Sequence, residues 1–124
     1  MFLVGCREGS PLIVPTENDV STIKITSGNI PKPTLINEIT DKQKIANILA
    51  FISANNSDWY RPLDTYPSPQ LTIWFENNKG SNIFVLWLGP DWLGGEPEPK
   101  GPMMPQLRKL KENKIDEIRK LLGV

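Results

Sequence analysis

The sequence predicts an α+β fold in which an antiparallel sheet, built on a central hairpin, carries two helices on one face. Residues 71–88, LTIWFENNKGSNIFVLWL, are the densest apolar and β-favouring stretch of the chain and hold a turn signal at their middle. Residues 41–54 and 114–122 repeat apolar side chains at helical spacing. With strand, helix, hairpin, long loop and C-terminal helix in that order, residues 20–124 read as one domain behind an N-terminal tether, residues 1–19.

Leu12-Ile13-Val14 reads as a short strand or as part of the tether, and Pro15-Thr16-Glu17-Asn18-Asp19 breaks it. Beyond Val20, Ile23 and Ile25 alternate with Lys24 and Thr26, the period of a half-buried strand that Ser27-Gly28-Asn29 ends. Ile30-Pro31-Lys32-Pro33 must be extended, because each proline restricts the residue before it, and Leu35 and Ile36 add a further extended piece. Thr40 is the expected N-cap, completed by Gln43 as a capping box and by Asp41 at the positive end of the helix dipole. The helix then carries Ile45, Ile48, Leu49 and Ile52 in one stripe, turns Lys42, Lys44 and Asn47 to water, and ends at Asn55 and Asn56.

Within the hairpin, Leu71, Ile73 and Phe75 alternate with Thr72, Trp74 and Glu76, and Gly80 is the expected residue at positive φ. A three-residue loop closing Asn77 onto Ser81 sets Phe75 opposite Ile83 and Ile73 opposite Val85. A four-residue loop sets Phe75 against Phe84 or Asn82, and the second strand, apolar on both faces, accepts either register. Trp74 or Trp87 then lies on the face away from the helices, which calls for a loop folding across that face or a partner docking there. From Gly89 to Pro102 the density of proline and glycine predicts a protruding excursion without regular structure. An extended segment around Gln106 to Leu110 follows, then a helix from Lys114 to Leu122, capped by Asn113, with Ile115, Ile118, Leu121 and Leu122 inward.

A chain of 124 residues has the usual size of one domain, roughly 100 to 150 residues, and 39% hydrophobic residues suffice for a packed core despite twelve prolines. Fourteen basic and fourteen acidic residues cancel, which removes the electrostatic footprint of nucleic-acid binding. The chain has no histidine, so Ser-His-Asp and Cys-His catalysis and imidazole metal sites are excluded. Its single cysteine, Cys6, permits no intramolecular disulfide. Without a phosphate loop, a dinucleotide fingerprint or a calcium-type acidic run, no cofactor and no metal site is expected. Glu96 and Glu98 form a carboxylate pair whose Pro-rich loop fixes neither spacing nor surroundings, and Asp58 and Asp64 flank an aromatic segment as acids do beside sugars, and as they do without function. The chain therefore reads as a non-enzyme.

Leu3-Val4-Gly5-Cys6 resembles the lipobox of bacterial lipoproteins, in which small residues precede the cysteine that becomes lipid-modified. Five residues precede Cys6, fewer than a basic n-region and an apolar stretch of about 7 to 15 residues need, so the resemblance goes with a shortened or mis-assigned start. Polar, turn-prone Arg7-Glu8-Gly9-Ser10-Pro11 suits a tether. The order of elements is likewise similar to small single-domain lipoproteins of low-GC Gram-positive bacteria, many of unknown function. The resemblance implies lipid attachment at Cys6, membrane contact through that lipid and an extracytoplasmic place at the cell envelope; the alternative is a cytoplasmic protein with an accidental Cys6.

Two aromatic-proline segments, Trp59-Tyr60-Arg61-Pro62 and Pro90-Asp91-Trp92, flank the two ends of the hairpin and are expected at one end of the sheet. There Trp59, Tyr60, Arg61 and Trp92 would form a binding edge for a protein partner. The competing account has Trp59 and Trp92 capping the core. The leading functional expectation is a non-catalytic, envelope-tethered binding or inhibitory module. Its alternatives are an immunity-type protein that neutralises a toxin or enzyme by occlusion, and a small cytosolic structural or regulatory protein; the pattern fixes no oligomeric state.

Overall fold

The hairpin forms, and the sheet grows outward from it. The computed structural model describes residues 6–27, 33–62, 66–96 and 105–124, the first three by backbone alone. In chain order the elements are β1 (Cys6–Glu8), β2 (Thr22–Ser27), β3 (Leu35–Ile39), α1 (Lys42–Ala54), β4 (Tyr60–Pro62), β5 (Leu71–Glu76), β6 (Asn82–Leu88), β7 (Trp92–Gly95), β8 (Gln106–Lys109) and α2 (Glu112–Leu122). Among the described residues eight strands make one sheet in the order β1-β4-β8-β7-β6-β5-β2-β3, with antiparallel pairing throughout. The two helices share one core with the sheet, so the α+β class is as the sequence predicts.

The hairpin turn closes as a three-residue loop: Asn77 N–H donates to Ser81 O at 3.0 Å, and Gly80, at φ 77°, donates to Asn77 O. A bulge between Phe75 and Glu76 then absorbs one residue, so that Phe75 faces Phe84 and Ile73 faces Leu86: the loop is that of the three-residue alternative and the register that of the four-residue one. The shift turns Leu86 and Leu88 into the core and Trp87 out of it; without it the large indole would point at the helices. Phe75 and Phe84 meet edge to face, with centroids 5.2 Å apart.

The helix boundaries differ by one or two residues from expectation. Asp41, not Thr40, caps α1, its carboxylate accepting from Lys44 N–H at 2.9 Å, because one short acid both satisfies an orphan donor and meets the helix dipole. α2 starts at Glu112 behind Lys111, which gives no side-chain cap, so Asn113 lies inside the helix. The buried stripe Ile115, Ile118 and Leu122 places α2, and its exposed first turn imposes no residue type.

Two larger expectations are corrected. The excursion from Gly89 holds β7, and all four of its residues are buried. Its glycines mark close approach: a Cβ on Gly95 would lie 2.7 Å from Leu12 Cδ1 and 3.0 Å from Leu86 Cδ2. The stretch read as a tether is built into the fold from Cys6 onward, since β1 pairs with β4, Gly9 N–H donates to Trp59 O at 2.8 Å and Leu12 enters the core. Residues in this stretch are tied by backbone groups, which leave no period in the sequence. The expected extended conformation of Ile30-Pro31-Lys32 lies outside the described residues.

Candidate functional site

Register sorts the side chains into rows across the sheet. On the helix side one row runs Asn37, Ile25, Ile73, Leu86, Gly95 and Gln106. Its apolar middle sits under the helices, and its two amide ends hold the covering layer. Asn37 Nδ2 donates to Leu122 O at 2.8 Å, fixing the end of α2. Gln106, with no solvent exposure, binds Ser10 twice: Ser10 N–H donates to Oε1 and Nε2 donates to Ser10 O, both at 2.6 Å. Asn56 does the same for Leu12, at 2.7 Å from its N–H and 2.8 Å to its carbonyl. Its Oδ1 also accepts from Trp59 Nε1 at 2.9 Å. Sequence periodicity misses these amides, because β8 holds one apolar residue, Leu107, and shows no alternation that would set Gln106 on a buried face.

The opposite face, helix-free among the described residues, carries a second set of rows. Leu35, Thr26, Thr72, Trp87, Gly94, Leu107 and Tyr60 align across seven strands, and Glu38, Lys24, Trp74 and Val85 align beside them. Trp74 is oriented by donating from Nε1 to Thr26 Oγ1 at 3.0 Å, and Lys24 Nζ lies 3.2 Å from Glu76 Oε2. Trp74, Val85 and Trp87 are half-buried, and Leu35 on the edge strand is 53% exposed. Tyr66, Pro67 and Pro69 fold toward β6 and β7 and, with Trp87, Trp92, Pro105 and Leu107, line an apolar depression. The loop thus covers the β7 end of this face.

The expected binding edge is not assembled. Trp59 is 4% exposed and belongs to the helix-side core, whereas Trp92 is 7% exposed and belongs to the opposite face, with β8 between their strands. Both indoles are packing groups, as the competing account had it, because a two-sided sheet end gives each a surface to cover. Tyr60 and Arg61 are half-buried in β4. Asp58, at φ 59°, turns the chain into that strand, and Arg108 steadies the turn by donating from Nε to Ser57 O at 2.8 Å. Cys6 opens β1, opposite Pro62. Leu3, Val4, Gly5, Asp64 and Glu98 lie outside the described residues. Among the described residues no cluster of three or more His, Cys, Asp or Glu side chains is placed to hold a metal ion, and no helix is long and apolar enough to cross a membrane. No protein-family model matches the chain, and no curated protein or solved structure is found to be similar to it.

Proposed function

We propose that the chain is a non-catalytic binding or inhibitory module, held at the cell envelope by a lipid on Cys6, that offers the helix-free face of its sheet to a protein partner. The observation that carries this reading is the half-buried Trp74, Val85 and Trp87 in register beside the exposed Leu35, on a face over which no helix lies among the described residues. Aromatic and aliphatic side chains partly desolvated in the free protein complete their burial at low entropic cost against a partner. The lipobox-like Leu3-Val4-Gly5-Cys6 supports the anchor.

Two measurements test the two halves. Cells fed a fatty-acid analogue should label the protein, and Cys6→Ser should abolish the label; an unlabelled wild-type protein removes the anchor. A photo-crosslinking residue at position 85 should yield a discrete adduct in cells, while the same residue at exposed position 117 on α2 should not. Equal results at both positions remove the docking face.

A further inference from the structure

We propose that the groove holding Gly9 to Leu12 is a receptor for extended chain whose occupant can come from a second copy of this protein, giving a dimer by reciprocal exchange of the N-terminal arm. The receptor reads main chain: Gln106 and Asn56 each bind both the N–H and the C=O of one residue, Ser10 and Leu12, as a neighbouring strand would. Depth is set by glycine, since a Cβ on Gly9 would lie 2.5 Å from Gln106 Oε1 and 2.7 Å from Trp59 Cβ. Leu12, 4% exposed over Gly95, is the deepest side-chain anchor of the arm, and Val14 packs partly against the same core. Every one of these contacts is available unchanged to the arm of another copy, and that arm has the sequence known to fit.

The link between arm and body favours such an exchange. Thr16 to Asp19 are all exposed, and their turn is held by local bonds only: Asp19 N–H to Thr16 O at 3.0 Å, with the Asp19 carboxylate accepting from Thr16 N–H at 3.3 Å and Thr16 Oγ1 at 2.9 Å. Opening this turn costs no core contact. In the single chain the short link keeps the arm at high effective concentration, so the monomer prevails when the protein is dilute.

Removing Thr16, Glu17 and Asn18 takes away roughly 10 Å of reach and forbids the turn. The shortened full chain is expected to be a folded dimer by light scattering, and adding Leu12→Asp should return it to monomer. In protein produced without lipid modification, where the Cys6 thiol is free, Pro62→Cys places a second thiol opposite it in the β1–β4 register, within the Cα separation a disulfide bridges. After oxidation the shortened variant should run as a covalent dimer on a non-reducing gel, and the full-length variant, kept dilute, as a monomer. A shortened chain that is a folded monomer, that unfolds, or that dimerises without the covalent link overturns the proposal.

Discussion

Gln106 has no solvent exposure and yet spends its amide wholly on the backbone of Ser10. A buried amide is costly unless all its groups are paired, and here the pairing doubles as the attachment of a chain segment that has few apolar residues of its own. Gln106→Leu keeps the volume and leaves both Ser10 groups without their partner, so it should lower unfolding stability in urea by about 2 to 3 kcal/mol. A loss below about 0.5 kcal/mol would mean that water replaces the amide freely. Phe75 makes the contrasting case. It is fully buried and meets Phe84 edge to face, so Phe75→Ala should cost about 3 to 5 kcal/mol, and a variant as stable as the parent would place the hairpin on the wrong face.

At the scale of elements, α2 is weak at its start, because Lys111 occupies the N-cap without a side-chain bond and puts a cation at the positive end of the dipole. Lys111→Asp should stabilise the protein by about 1 kcal/mol, read as a rise in melting temperature; no rise would mean that packing alone fixes the helix start. The N-terminal stretch gives the opposite prediction from the one its composition suggests. Deleting residues 1–10 removes β1, the Gly9–Trp59 bond and the Gln106 clamp, and should lower the melting temperature by more than about 5 °C. An unchanged melting temperature would restore the tether. The same contrast explains what was legible. β2, β5, β6, α1 and α2 bury one face against a common core, so Ile23, Ile25, Phe75, Ile48 and Ile118 announce themselves by period. β1, β4 and β7 have three or four residues each, too few for a period, and are placed by neighbours far away in sequence. The glycines that read as a loop in β7 are there because neighbours close over both faces of the strand, Leu12 over Gly95 and Trp92 with Leu107 over Gly94. Of the candidate site, the presence of indoles outside the helix side was legible from the hairpin, but not which loop would cover Trp87, since Tyr66 and Pro69 carry no pattern that says where they fold.

For the molecule as a whole, the four tryptophans report on a division between a filled side and a side with surface to spare. Trp59 lies in the helix-side core and Trp92 is covered on the opposite face, whereas Trp74 and Trp87 are half-buried in the rows between. Four variants, each keeping one tryptophan with the other three replaced by Phe, separate these environments without opening large cavities. Acrylamide should quench Trp74 and Trp87 readily and Trp59 and Trp92 poorly, because quenching needs contact and the last two indoles have almost none to give. Equal quenching at all four positions would show that the two faces are covered alike, and the docking reading would lose its support. Addition of a true partner should shield Trp74 and Trp87 and leave Trp59 unchanged, since the sheet stands between Trp59 and the helix-free face. Shielding of Trp59 instead would place the partner on the helix side, where Gln106 and Asn56 hold the arm.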